Sequence, residues 1–189
     1  MNILFLDIDY TLLIPQNVYV YYTEKGIEKT MDCLTFSSLN LKGDEKMKYD
    51  LRDFRDPIPV KNSIVTSIPL EVNLKIIEEY AKEGWILGIL TARGCEDIIA
   101  ETILEWLKEH LPNFKEIKRE NIYAVNDEKN YIGNGSSQKK LFILKDLIKK
   151  NYFNKIAFID DNHHTLEIIE DFNRTLEKNK RIQLILSKF

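Results

Sequence analysis

The sequence predicts an α/β protein, a three-layer Rossmann-like parallel sheet with helices on both faces. Three observations carry this. From Pro69 onward the apolar pattern alternates helix, strand, helix, strand, helix, strand, helix, strand. The chain opens on one further buried run, Ile3-Leu4-Phe5-Leu6. Three of these strands end in polar groups: Asp7 and Asp9, Thr91 and Arg93, Asp160 and Asp161. In a parallel sheet those ends share one edge, where α/β folds bind ligands.

Asn2 to Leu6 reads as the first strand. Leu13 to about Ile68 follows with no convincing helical period. Val18-Tyr19-Val20-Tyr21-Tyr22-Thr23 is rich in β formers, and Glu24-Lys25-Gly26 is a turn signal. Leu34 to Leu41 reads as another strand and Lys42-Gly43-Asp44-Glu45 as another turn, with Pro57, Pro59 and Pro69 as punctuation. Residues 13–68 are therefore expected to be a β-rich insertion within a single domain spanning 1–189.

Pro69 suits an early helical position with Ser67 as a cap, and Leu70, Leu74, Ile77, Tyr80 and Ala81 recur at helical spacing until Gly84. Trp85 to Leu90 is a strand, and Glu96 to Leu111 a helix with Ile99, Ile103, Trp106 and Leu107 on one face. A short strand, Ile122 to Val125, and a polar loop lead to a helix from about Gln138 to Asn151. Lys155 to Ile159 is a strand, His164 to about Lys178 a helix, and Ile182 to Leu186 the last strand.

Composition bounds the function. The 189 residues suffice for one domain with a real core, and 44% apolar with 30% charged residues is not a disordered composition. A net charge of −3 gives no global pull toward nucleic acid or anionic membrane. Cys33 and Cys95 lack disulfide or metal spacing, which suggests free thiols and a cytoplasmic setting. Asp7 and Asp9 interrupt the apolar start, so it does not read as a signal peptide, and no apolar run is long enough to span a bilayer.

Asp7, Asp9, Asp160 and Asp161 converging on one edge would repel strongly without a cation. All the donors are oxygens, which points to a hard ion, Mg²⁺, bound through a few carboxylates and a substrate phosphate.

These residues also match a family. Asp7-Ile8-Asp9-Tyr10-Thr11 fits an Asp-x-Asp-x-Thr motif, Ile89-Leu90-Thr91-Ala92-Arg93 a strand ending in Thr, Lys140 a lysine early in a helix, and Phe158-Ile159-Asp160-Asp161 an acidic pair after a strand. In order and position, the chain resembles the haloacid dehalogenase-like superfamily of phosphohydrolases, leaving only the insertion uncovered; the resemblance implies that this insertion, residues 13–68, forms a flap or cap over the active site. Lys139 competes with Lys140, which is preferred because Leu144 and Leu147 follow at core spacing.

The resemblance implies a phosphatase. Asp7 would attack phosphorus to give an aspartyl-phosphate. Asp9 would protonate the leaving oxygen and then deprotonate the hydrolytic water. Thr91 and Lys140 would hold the phosphoryl oxygens. Asp160 and Asp161, with Asp7 and the Asp9 carbonyl, would hold Mg²⁺. Arg93 is open between substrate contact and surface. Many phosphatases of this family carry Gly where Tyr10 stands. The dehalogenase reading is weaker, because Asp9 and Thr11 take the phosphatase form.

The blander readings differ by residue. Thr91 alone would be a helix cap, and lysines on the Lys140 helix are mostly a solvated face. His163 and His164 read as cap or surface residues. Gly133 to Ser137 lacks the Walker spacing and reads as a loop. In the insertion, Lys42, Lys46, Lys48, Arg52, Arg55 and Lys61 with Tyr49 and Phe54 could hold a nucleotide or nucleic-acid end. Asp44, Glu45, Asp50, Asp53 and Asp56 nearly cancel that charge. The expected ligand is thus a phosphorylated small molecule or nucleotide, with a nucleic-acid 3′-phosphate as the alternative. A catalytically silent binding protein of the same fold is the rival of another class.

Overall fold

The computed structural model describes residues 1–39, 48–114, 117–127 and 131–189. In chain order, β1 (Asn2–Leu6) and β2 (Leu13–Ile14) precede the hairpin β3 (Val20–Glu24) and β4 (Ile27–Met31). Next come α1 (Cys33–Ser38), β5 (Tyr49–Asp50), α2 (Pro57–Val65), β6 (Ile68–Pro69) and α3 (Glu71–Lys82). The remainder is β7 (Ile86–Thr91), α4 (Glu96–His110), β8 (Ile122–Ala124), α5 (Ser136–Lys150), β9 (Lys155–Asp160), α6 (His163–Asn173) and β10 (Gln183–Leu186).

Five strands form a parallel sheet in the order β10-β9-β1-β7-β8. Its strands are near-continuous apolar runs because both faces are covered. Leu4, Leu6, Ile89 and Ile159 pack on one face against Val60 and Ile64 of α2, Leu74 and Ile77 of α3, and Ile99 and Ile103 of α4. Ile3, Phe5 and Phe158 pack on the other face against Leu141, Leu144 and Leu147 of α5 and Ile169 of α6. The expected α/β layering is therefore present. Among the described residues, no helix is long and apolar enough to cross a membrane.

The chain order places β1 at the sheet's switch point. From β1 the chain adds β7 and β8 on one side, then returns to add β9 and β10 on the other. The crevice beyond the carboxyl ends of β1 and β9 is where such a sheet binds ligands.

The insertion and the residue that follows it, Pro69, differ from the sequence reading in three places. The segment is closed at its ends by β2 pairing antiparallel with β6, and contains the β4-β3-β5 sheet. Pro69 lies in β6, not in a helix, and α3 begins at Glu71. Leu34 lies in the helix α1, not a strand; Asp32 caps that helix by accepting from Thr35 N at 2.8 Å. The remainder of that expected strand, residues 40 and 41, and the expected turn at Lys42 to Glu45 lie outside the described residues. Pro57 to Val65, read as part of a β-rich insertion with no helical period, is the helix α2. Its prolines occupy the first turn, where no intrahelical N–H is needed, and Val60, Ser63 and Ile64 face the core.

Boundaries shift elsewhere. α5 starts two residues earlier than expected, at Ser136, and α6 ends at Asn173 instead of near Lys178. Asn173 closes α6 on the chain ahead: its side chain donates to Ile182 O and accepts from Ile182 N.

One contact limits the sheet. Gly88 of β7 lies opposite Phe5, and a Cβ there would come 2.5 Å from the Phe5 ring and 2.9 Å from Asn121 O. The Phe5 ring is itself held between Tyr123 and Phe153. Gly88→Ala is expected to destabilise the protein by about 1–3 kcal/mol through overpacking. An unchanged denaturant midpoint would show that the Phe5 ring can yield.

Candidate functional site

Strand register alone brings two acids together. Leu6 of β1 pairs with Ile159 of β9, so the next residues, Asp7 and Asp160, emerge side by side. Asp7 N donates to Ile159 O at 3.0 Å, continuing the ladder. By the two-residue period, Asp7 shares a sheet face with Phe5, and Asp160 with Phe158. This is the α5–α6 face, from which Lys140 reaches in. Its Nζ donates to Asp7 Oδ1 and to Asp160 Oδ2, each at 2.8 Å. Asp160 Oδ1 accepts from Asn162 N. Asp7, Asp160 and Lys140 are all buried.

Asp161 completes a cluster. One carboxylate oxygen from each of Asp7, Asp160 and Asp161 lies within 4.8 Å of the others, so the three could hold a metal ion. Three carboxylates share one ammonium, an imbalance that a cation at this place would relieve. The charge is visible in the acids. Burial first, then the neighbouring carboxylates, pushes Asp7 up to about 7 against the pull of Lys140. Burial, then Asp7 and Asp160, pushes Asp161 up to about 8. Burial alone would lower Lys140, but Asp160 and Asp7 more than offset it and hold the ammonium charged.

Asp9 is held separately. Arg93 Nε donates to Asp9 Oδ2 at 2.8 Å and Nη2 to Asp9 Oδ1 at 2.6 Å, a two-pronged pair. The same guanidinium donates from Nη1 to Val60 O at 3.2 Å and Ser63 Oγ at 2.7 Å. Arg93 is fully buried, and its donors serve Asp9 and α2. The Asp9 carboxylate stands outside the three-acid cluster.

The loop from Asp7 to Leu13 is anchored from behind. Tyr10 takes a left-handed conformation with φ 55°, where glycine has no steric cost and tyrosine does. Its N–H donates to Leu13 O, and its carbonyl accepts from Ser187 Oγ at 2.6 Å. Buried Asn73 of α3 donates to both Thr11 O and Ser187 Oγ and accepts from Lys188 N. The Tyr10 ring packs on Phe189, centroids 4.8 Å apart.

A cleft of about 1080 Å³ opens over this edge. Asp7, Asp9, Arg93, Lys140, Asp160 and Asp161 line it, as do His164 and Lys139. Thr91 does not. It is fully buried, and its Oγ1 accepts from Arg93 N at 3.3 Å. Lys139 Nζ donates to Asn126 Oδ1 at 3.2 Å and reaches neither acid, so the geometry separates the two lysines. His163 is exposed on the first turn of α6, whose cap is Asn162. In the insertion, Arg52 pairs with Glu28 and Arg55 with Asp50; Lys42 and Lys46 lie outside the described residues.

Sequence reasoning missed Asn73, Asn126, Ser63 and Ser187, which support the site through contacts distant along the chain. It also missed Phe36 as part of the cleft. Nothing local in the sequence marks these residues. Comparison with protein-family models, curated proteins and solved structures returned no match.

Two outcomes follow from this geometry. Removing Arg93 strips the partner from Asp9 and from two groups of α2. Arg93→Ala is expected to cost about 3 kcal/mol of stability, the lower end for a broken buried pair because Asp9 is partly solvated. A variant with wild-type stability in urea would contradict the pairing.

The acids set the pH dependence. Asp7 and Asp161 keep protons in the folded chain that the unfolded chain releases near pH 3.8. The stability this gives is complete below that pH and is lost as pH rises through about 7 to 8. In chelator, the melting temperature should fall over this window, and less so in Asp161→Asn. An added divalent cation should raise it more at about pH 8 than at about pH 6, where protons compete for the same oxygens. Equal cation effects at both pH values would contradict the assignment.

Proposed function

We propose that the protein is a Mg²⁺-dependent phosphatase that cleaves a phosphate monoester through an aspartyl-phosphate on Asp7. The observation that carries this reading is the Lys140 ammonium between Asp7 and Asp160, beside Asp161, on the floor of an open cleft. An acid at a strand end with a fixed cation on one oxygen is oriented for attack with the other.

The chemistry balances within these residues. Asp7 Oδ2 attacks phosphorus while Lys140 holds Oδ1. The bond from phosphorus to the leaving oxygen breaks, and that oxygen takes a proton from Asp9, which carries it on an oxygen released from one of its two Arg93 bonds. A water then attacks phosphorus and gives its proton to Asp9. The bond to Asp7 breaks, releasing inorganic phosphate and restoring the carboxylate. Arg93 orients Asp9 for both transfers. Lys140 stays charged throughout and offsets charge on the phosphoryl oxygens.

Asp7, Asp160 and Asp161 would hold the Mg²⁺, with the Asp9 carbonyl as the further oxygen implied by the family resemblance. The fit rests on the donor set: three hard oxygens, close together, with one ammonium for three acids. Bound there, the ion supplies charge neutralisation for an anionic substrate approaching an anionic nucleophile.

The rival readings draw less support. A silent binding protein would be expected to have lost part of the set, whereas Asp7, Asp9, Lys140, Asp160 and Asp161 all line the cleft. A nucleic-acid-end phosphatase was expected to use Arg52 and Arg55, whose charges are balanced by Glu28 and Asp50.

A panel of aryl phosphate, nucleotides, sugar phosphates and 3′-phosphorylated oligonucleotides, assayed with Mg²⁺ or chelator, tests the proposal. Turnover of at least one member should require Mg²⁺ and fall by several orders of magnitude in Asp7→Asn, since the nucleophile is gone. Activity surviving that substitution would rule out Asp7.

A further inference from the structure

The cleft over Asp7 has two unlike walls. The sheet edge and the starts of α5 and α6 supply carboxylates, amides and hydroxyls. The other wall comes from the inserted segment and carries Phe36, Tyr49, Leu51 and Phe54. Phe36 and Tyr49 meet edge to face with centroids 5.2 Å apart, and Tyr22 backs Tyr49 at 5.9 Å. All three rings are only partly buried. Phe36 and Tyr49, locked against one another yet lining an open cleft, present π-surface that the fold itself leaves uncovered.

The position of this wall matters. The Phe54 ring lies 5.8 Å from the Arg93 guanidinium carbon, and that guanidinium grips Asp9. Gly94 N donates to Phe54 O at 2.8 Å, tying the wall to the loop that carries Arg93. The aromatic wall thus adjoins Asp9, the group that serves the leaving oxygen, while Lys140 marks the phosphoryl side. Arg52 and Arg55 nearby are paired with acids, so among the described residues this wall offers ring faces rather than free arginine charge. The cleft volume of about 1080 Å³ leaves room for a substituent of nucleoside size.

From this juxtaposition we infer that Phe36, Tyr49 and Phe54 form a stacking platform for a planar aromatic leaving group, so that the site selects phosphate esters of nucleosides or aryl alcohols over those of aliphatic alcohols. The assignment of that wall to the leaving group rests on the phosphatase reading; the stacking itself does not.

Equilibrium binding separates the two. The full-length Asp7→Asn protein with Mg²⁺ is titrated with matched pairs: adenosine 5′-monophosphate against ribose 5-phosphate, and phenyl phosphate against glycerol phosphate. Stacking predicts that the aromatic member of at least one pair binds about tenfold tighter. The first pair alone points to nucleosides, the second alone to aryl esters. Tyr49→Leu should erase the preference and Tyr49→Phe keep it; Phe54→Leu serves if Tyr49→Leu does not fold. Equal affinities within both pairs, no binding of any ligand, or a preference that survives in folded Tyr49→Leu or Phe54→Leu would overturn the inference. Turnover distinguishes failures. Asp7-dependent hydrolysis of ribose 5-phosphate as fast as of adenosine 5′-monophosphate sinks the selectivity and leaves the phosphatase. An aromatic binding preference with no Asp7-dependent hydrolysis of any ester sinks the phosphatase and leaves the platform.

Discussion

The Lys140 ammonium, buried between Asp7 and Asp160, is the interaction on which the rest of the site depends. A lysine almost never lies so deep without partners. Here its partners are fixed by β1 and β9, whose register sets the two acids side by side. Its own approach is fixed by α5, whose Leu141, Leu144 and Leu147 are locked into the core. The bridge therefore joins two strands and a helix at the sheet's carboxyl edge. It bonds one oxygen each of Asp7 and Asp160 and reaches Asp161 only through its charge. That shortfall turns a structural ion pair into a place that favours a further cation.

A second buried cation couples the inserted segment to this edge. Arg93 leaves β7, fixes Asp9 and reaches Val60 and Ser63 of α2. Asn73 and Ser187 hold the same loop at Thr11 and Tyr10 from the opposite flank. A loop held at so many points can keep Tyr10 in a left-handed conformation that would otherwise relax. The consequence is structural. The two acids of the opening motif are positioned by different parts of the molecule, Asp7 by the sheet and α5, Asp9 by Arg93 and the insertion.

Much of the fold was legible because β1, β7 and β9 are buried on both faces and read as unbroken apolar runs. The placing of Asp7 and Asp160 followed from strand ends, and Lys140 over Lys139 from the core spacing of Leu144 and Leu147. The insertion was harder. Pro57 and Pro59 look like breakers, yet both sit in the first turn of α2, where their missing N–H groups cost nothing. Leu34-Thr35-Phe36 has strand-forming residues, but the Asp32 cap decides for a helix. Arg93 could not be assigned from sequence, because what it does depends on α2 packing beside α4. Thr91, expected at the phosphate, lies beneath the cleft surface, bonded to Arg93 N.

In the proposed reaction this edge makes Asp7 a nucleophile toward phosphorus. Rapid acid quench of a single turnover, followed by peptide mass spectrometry, tests it most directly. With Mg²⁺ and the best substrate of the panel, a phosphoryl group should be found on Asp7, and none in chelator or in Asp7→Asn. Phosphate release with no label on the protein at any time, or a label on another residue, would contradict the account.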